Sequence, residues 1–231
     1  MDVPATEAAT DASGHRARLR RRMFEGGGDA LLDHELIEYL LALAIPRRDT
    51  KPLAKALLRE FGGIGPLLAA DGDALARVPG MGETSAAAIK IAHTVALRLL
   101  RAEIVDRPLL SSWQALLDYL RADMAHHGVE RVRVLHLDSR NRLIRDELMS
   151  EGTIDEAALY AREVIRRAID LKSAAIILVH NHPSGDASPS RADIDVTRAI
   201  ADAGKRLGIT LHDHIIIAAG GHTSFRAQGL I

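Results

Sequence analysis

Residues 180–193 read HNHPSGDASPSRAD, with two histidines, two aspartates and three serines in fourteen positions. Imidazole and carboxylate groups are natural ligands for divalent transition metals. His180 and His182 are two residues apart, so on a strand they point the same way and Asn181 points the other. Pro183 cannot donate to a strand ladder and should end the strand. The SGDASP that follows is made of turn formers able to reverse the chain. Ser190 then opens a helix and puts Asp193 in its first turn. Two imidazoles and a returning carboxylate could thus meet on one cation with a fourth position open for water, as in catalytic zinc sites with three protein ligands.

A plainer reading competes. Ser190-x-x-Asp193 also has the form of a capping box, which needs no metal. A second His-x-His pair, His212 and His214 in LHDHIII, is followed by neither turn nor carboxylate. It reads as structural, or as an outer layer that orients the first pair.

The elements that must carry these groups form an α/β unit over residues 111–231. SAAIILVH is a continuous apolar run, as expected of a strand covered on both faces. Upstream, SSWQ has the capping-box form and opens a helix to about Ala125. RVRVLHLD, the polar SRNR and LIRDELM read as a hairpin. AREVIRRAIDL is amphipathic, with Val164, Ile165, Ala168 and Ile169 on one side. A helix from Ser190 to about Leu207 and a final pair of strands, ITLHDHIIIA and HTSFRA, complete the unit.

The N-terminal part reads differently. Residues 1–15 are polar and small and are expected as a disordered tail, 16–102 as an all-helical domain and 103–110 as a linker. DHELIEYLLALAI should be capped by Asp33 and stopped by Pro46, and TKPLAKALLREFGG capped by Thr50 and stopped by Gly62 and Gly63. DGDALARV and TSAAAIKIAHTVALRLL flank PGMG, and ARVPGMGETSAAAIK has the form of a helix-hairpin-helix. Gly80 and Gly82 permit a tight turn whose amides, with the next helix N-terminus, could approach a phosphate. FGGIG at 61–65 is a second glycine turn of similar kind. Contact of this sort would hold a DNA backbone weakly, without sequence preference and with strong salt dependence. Glu83 at the helix start and Ser85 in place of a basic residue count against it; Lys90 is the nearest cation along the helix.

Composition narrows the choices. A formal net charge of −1 removes any global electrostatic case for nucleic acid, and leaves only the local run Arg16, Arg18, Arg20, Arg21 and Arg22. Aromatics at 3% are too few for recognition by base stacking. There is no cysteine, so a metal must sit on His, Asp or Glu. The first fifteen residues lack the apolar segment of a signal peptide, and no apolar run approaches the roughly 20 residues needed to cross a bilayer. A cytoplasmic protein with no membrane partner is expected. Oligomeric state is not legible.

The spacing His180-x-His182, seven residues, Ser190, two residues, Asp193 matches the JAMM (MPN+) metalloprotease signature at every fixed position. LVHNHPSGDASPSRADI, with EGTID upstream and LGITLHDHIII downstream, resembles the RadC family from about residue 16 to the C-terminus, most strongly over 130–231. The resemblance implies a JAMM/MPN-like (cytidine deaminase-like) mixed sheet with flanking helices, preceded by a helix-hairpin-helix module for which a DNA role is commonly inferred. It implies Zn2+ on His180, His182 and Asp193 with a water as fourth ligand, and hydrolysis of peptide or isopeptide bonds in a protein or peptide substrate. Ser190 would hydrogen-bond the developing oxyanion. A glutamate near the first strand would act as general base. Glu130 is the best match, with Glu147 and Glu151 as competitors.

Overall fold

The computed structural model describes residues 5–105, 107–152 and 159–231. Two compact units emerge, Met1–Val95 and Ala96–Ile231. The division falls inside a helix rather than in the stretch 103–110 expected as a linker, because Leu100 and Ile104 already pack into the second unit's core.

The first unit holds α1 (Ala5–Gly26), α2 (Asp33–Ala44), α3 (Lys51–Phe61), α4 (Ile64–Ala69), α5 (Gly72–Arg77) and most of α6 (Glu83–Ala102). Its core is aliphatic, built on Ile37, Leu41, Leu53, Leu57, Leu67, Leu75 and Ile89. Residues 5–15, expected within a disordered tail, are helical as the start of α1. Ala5, Ala8, Ala9 and Ala12 are strong helix formers that carry the arginine-rich helix toward the N-terminus. Residues 1–4 lie outside the described residues.

The basic run is partly used internally. Arg22 clasps Glu35 through bonds of 2.7 and 3.0 Å, and Arg16 donates to the carbonyls of Pro46 and Arg48. Arg18, Arg20 and Arg21 remain exposed. The cap of α2 sits one residue before the expected Asp33, since the Glu35 carboxylate reaches back to accept the Leu32 amide at 2.9 Å. Thr50 does precede α3, but its hydroxyl donates to the Glu38 carbonyl instead of capping. FGGIG is more than a turn: its glycines end α3 and its Ile64 starts α4.

The second unit contains α7 (Trp113–Met124), β1 (Glu130–Leu137), β2 (Leu143–Gly152), α8 (Ala161–Asp170), β3 (Ala175–Asn181), α9 (Arg191–Arg206), β4 (Thr210–Ala218) and β5 (Gly221–Ser224). The strands form one mixed sheet in the order β2-β1-β3-β4-β5. Among the described residues only β3 and β4 run parallel. Every residue of β3 is buried, as its unbroken apolar run requires. Ile177 and Val179 pack with Ile215 and Ile217 under Leu116 and Leu120 of α7. On the opposite face Ile176 and Leu178 pack with Val164 and Ala168 of α8 and Ile200 of α9. Each such valine, leucine or isoleucine side chain contributes roughly 1.5–3 kcal/mol relative to exposure.

Three details depart from the sequence reading. Ser111 does not cap α7: it and Ser112 both donate to the Pro108 carbonyl, at 2.8 and 3.3 Å, while Gln114 bonds Asp118. Ile169 lies off the buried stripe of α8 and is 54% exposed. The β3–β4 register passes from Ile176↔Leu211 to Ile177↔Asp213 and skips His212. As a result Leu211 faces α8 and α9, whereas Ile215 and Ile217 face α7. No described helix is long and apolar enough to cross a membrane.

Candidate metal centre

β3 carries His180 near its C-terminal end, His182 follows just past its last residue, and the reversing turn returns the chain to α9 with Asp193 in its first turn. The ligating atoms converge. His180 Nε2 lies 2.9 Å from His182 Nε2 and 3.2 Å from Asp193 Oδ1, and His182 Nε2 lies 3.7 Å from Asp193 Oδ2. Metal bonds of ~2.0–2.1 Å at tetrahedral angles would separate the donors by about 3.3 Å. The set therefore fits a small tetrahedral cation. Chemistry agrees: His182 Nδ1 must donate to the Asp186 carbonyl at 2.8 Å, so its Nε2 lone pair points at the other imidazole. Two imidazole nitrogens and a carboxylate in such proximity call for a positive charge among them.

Asp193 divides its oxygens between two duties. Oδ2 accepts the Ser190 amide at 2.8 Å and the Ser190 hydroxyl at 2.6 Å, and Ser190 Oγ accepts the Asp193 amide at 3.1 Å. The capping box is thus formed, and it turns Oδ1 toward His180. The capping box and the approach of Oδ1 to His180 occur in one conformation. Burial opposes ionisation of Asp193, yet the adjacent imidazoles of His180 and His182 and the bond from Ser190 hold its carboxyl well below the usual carboxylate range. The Asp193 carboxylate, at 3.7 Å, in turn raises the affinity of His182 for a proton.

Glu130 joins this group from the start of β1: one oxygen of its carboxylate lies within 4.8 Å of the ligating atoms of His180, His182 and Asp193. Burial raises its pKa above the ordinary carboxylate value, against the opposing pull of the two imidazoles. Asn181, which points away from its histidine neighbours, holds this glutamate's backbone. Its Oδ1 accepts the Arg131 amide at 2.8 Å and its Nδ2 donates to the Val129 carbonyl at 3.0 Å. The competitors are engaged elsewhere. Glu147 is gripped by Arg167 at 2.7, 3.0 and 3.1 Å, and Glu151 pairs with Arg131 at 2.9 Å. Of the EGTID stretch, Thr153, Ile154 and Asp155 lie outside the described residues.

The ligand loop is pinned from β4. The His182 amide donates to the Ile217 carbonyl at 2.9 Å, and the Gly220 amide to the Gly185 carbonyl at 3.3 Å. A Cβ on Gly220 would lie 2.8 Å from that carbonyl oxygen, so only glycine permits this approach. His180 is buried, whereas His182 and Asp193 keep 17% and 16% of their side chains exposed. The site therefore opens to solvent on one side.

The second histidine pair is split by the register skip. His214 lies against the site, with its Nε2 2.7 Å from His180 Nδ1 and its Nδ1 2.6 Å from Thr197 Oγ1. His212 instead bonds Asn141 Oδ1 at 2.6 Å and lines a cavity of about 640 Å³ with Trp113 and His222. Asn181 and Thr197 are the site residues that sequence reasoning missed. For Thr197 a signal existed, since it is four residues after Asp193 and so on the same face of α9.

At the glycine hairpin, Gly80 adopts φ 94 and the Gly82 amide donates to Ser85 Oγ at 2.9 Å. Arg48 Nη1 donates to the Gly80 carbonyl at 3.3 Å, and Lys90 donates to the Ala70 carbonyl at 2.8 Å at the end of α4.

A mixed sheet that ends its central strand in two histidines and answers them with a carboxylate on the next helix is the architecture of a JAB-type domain, a metal-hydrolase fold. Residues 110–230 match the family model of the RadC-like JAB domain. The chain is also 50% identical over 213 residues to a UPF0758 protein of Rhodobacter capsulatus, covering 92% of this chain and 100% of that protein. It belongs to the RadC family.

Proposed function

We propose that this chain is a zinc-dependent hydrolase that cleaves peptide or isopeptide bonds in a protein or peptide substrate. The observation that carries the reading is the convergence of His180 Nε2, His182 Nε2 and Asp193 Oδ1 beside the half-buried carboxylate of Glu130. The donor set, nitrogen and oxygen without sulfur, suits zinc. Bound there, the cation supplies Lewis-acid polarisation of a substrate carbonyl and of water at neutral pH.

The protein's own groups do the rest. Glu130, with its pKa raised by burial, accepts a proton from the attacking water and returns it to the leaving amine. The Ser190 hydroxyl, now on Asp193 Oδ2, can turn to donate to the developing oxyanion, because the Ser190 amide keeps Oδ2 satisfied. Metal analysis of the purified protein, followed by hydrolysis assays on fluorogenic peptide and isopeptide panels, tests this. Glu130→Gln should keep the metal and lose turnover by two or more orders of magnitude. A wild-type protein that retains no metal, or an unchanged rate in Glu130→Gln, would overturn it.

A second reading, in which the helical unit directs the protein to DNA, is favoured by Arg48, whose guanidinium supplies a cation at the Gly80 turn. Against it stand the Gly82 amide, already used by Ser85, and Glu83 at the start of α6. Duplex binding across a salt series decides: Arg48→Ala should weaken binding and lower the salt slope by about one.

A further inference from the structure

We infer that Thr197 is a positioning residue of the metal centre, whose hydroxyl sets the tautomers of His214 and His180 so that His180 presents a bare Nε2 to the cation. The inference rests on the metal-centre reading above.

The argument follows the polarity of consecutive hydrogen bonds. Thr197 is fully buried on α9, and its hydroxyl contacts the Asp193 carbonyl one turn back. A carbonyl has no proton to give, so the Thr197 proton must lie in that bond. The same oxygen is 2.6 Å from His214 Nδ1 and can only accept there, which makes Nδ1 the protonated nitrogen of His214. His214 is 1% exposed, and Phe225 stacks on its ring at 4.5 Å between centroids, which fixes its plane. Its Nε2 is then a lone pair, and His180 Nδ1 at 2.7 Å must donate to it. The His180 tautomer with its proton on Nδ1 leaves Nε2 bare, and Nε2 is the atom aimed at His182 and Asp193.

Both ends of the chain of bonds face one residue. Donated bonds run from His180 Nδ1 through His214 and Thr197 to the Asp193 backbone carbonyl, while the bare His180 Nε2 lies 3.2 Å from the carboxylate of the same residue, the gap that a cation would bridge. A hydroxyl at position 197 therefore locks β3, β4 and α9 into the geometry that one cation needs. Without it, His214 could move its proton to Nε2 and donate toward His180, which would force a proton onto His180 Nε2 where the cation must sit.

The test is Thr197→Val, nearly the same shape without the hydroxyl, beside Thr197→Ser, which restores it. Zn2+ affinity is measured by competition with a chromophoric chelator, and imidazole tautomers by 15N NMR of the metal-free proteins. Wild type should show His180 and His214 both protonated on Nδ1. Thr197→Val should shift His214 toward the Nε2-protonated form and weaken Zn2+ binding roughly 10–100-fold. Thr197→Ser should recover both. Wild-type tautomers other than these, or wild-type tautomers and affinity in Thr197→Val, would sink the inference. If Thr197→Val fails to fold, the wild-type spectrum and Thr197→Ser decide it. If instead wild type binds no Zn2+ but shows the two Nδ1–H tautomers, the relay stands and the metal-centre reading is what fails.

Discussion

Asn181 holds the backbone on both sides of Glu130, accepting the Arg131 amide at 2.8 Å and donating to the Val129 carbonyl at 3.0 Å. The residue between the two histidines thus fixes the glutamate that faces them. Asn181→Ala should lower stability by about 1–3 kcal/mol, since two backbone groups lose their partner. It should retain the metal yet lose turnover, because His180 and His182 keep their own supports. Urea melts, metal analysis and hydrogen exchange at the Arg131 amide check this; an amide that stays protected would contradict it.

Capping and ligation by Asp193 are separable. Ser190→Ala removes one bond to Oδ2 and should cost about 1 kcal/mol, with modest loss of zinc affinity. Asp193→Asn can still accept at the helix N-terminus but has lost its charge, so it should fold and bind zinc far more weakly. Equal metal content in Asp193→Asn and wild type would remove Asp193 from the ligand set. His180→Ala and His182→Ala should likewise lose the metal.

The split histidine pair gives opposite expectations for similar changes. His212→Ala breaks the bond to Asn141 and should lower the melting temperature while leaving zinc stoichiometry intact. His214→Ala removes the partner of His180 Nδ1 and should weaken zinc binding. Thermal melts beside chelator titrations distinguish the two; identical profiles would mean that the register skip has no functional consequence.

His136, buried beneath α8 and bonded to Ser173 at 3.1 Å, makes stability depend on pH. Burial pushes its pKa down to about 4, and Arg167 and Arg145 add to the shift against the attraction of Glu147. The unfolded chain takes up a proton near pH ~6.5 and the folded chain does not. Stability is therefore complete above that pH and declines as pH falls toward 4, by up to about 3 kcal/mol. His136→Leu should flatten this part of the curve. Parallel stability curves for the two proteins between pH 6.5 and 4 would refute the assignment.

Gly220 tests the support of the ligand loop. A methyl group there would lie 2.8 Å from the Gly185 carbonyl oxygen, and backbone rather than a flexible side chain must give way. Gly220→Ala should cost about 1–3 kcal/mol and weaken zinc binding by displacing the loop that carries His182 and Asp186. Unaltered zinc affinity would show that the loop is held by other means.

Much of this could be read along the chain. Alternation on a strand puts His180 and His182 on one side, Pro183 ends that strand, and a Ser-x-x-Asp box starts a helix; each is a local rule that acts within a few residues. The aliphatic run of β3 announced a strand buried on both faces for the same reason. Local rules failed where a neighbour competed for the same group, as when the Pro108 carbonyl took the Ser111 and Ser112 hydroxyls. They failed again at Ile169, one position beyond the buried stripe of α8.

What the tertiary structure alone decided are the relationships between strands. The position of Glu130 beside the histidines depends on the pairing of Val132 with His180 and on the Asn181 clamp, fifty residues away in sequence from the amide it holds. The different fates of His212 and His214 depend on one skipped residue in the β3–β4 register. A repeat of two residues assigns side chains to faces only while the ladder is regular, and whether it stays regular is settled by packing against α7 and α9 rather than by the strand itself.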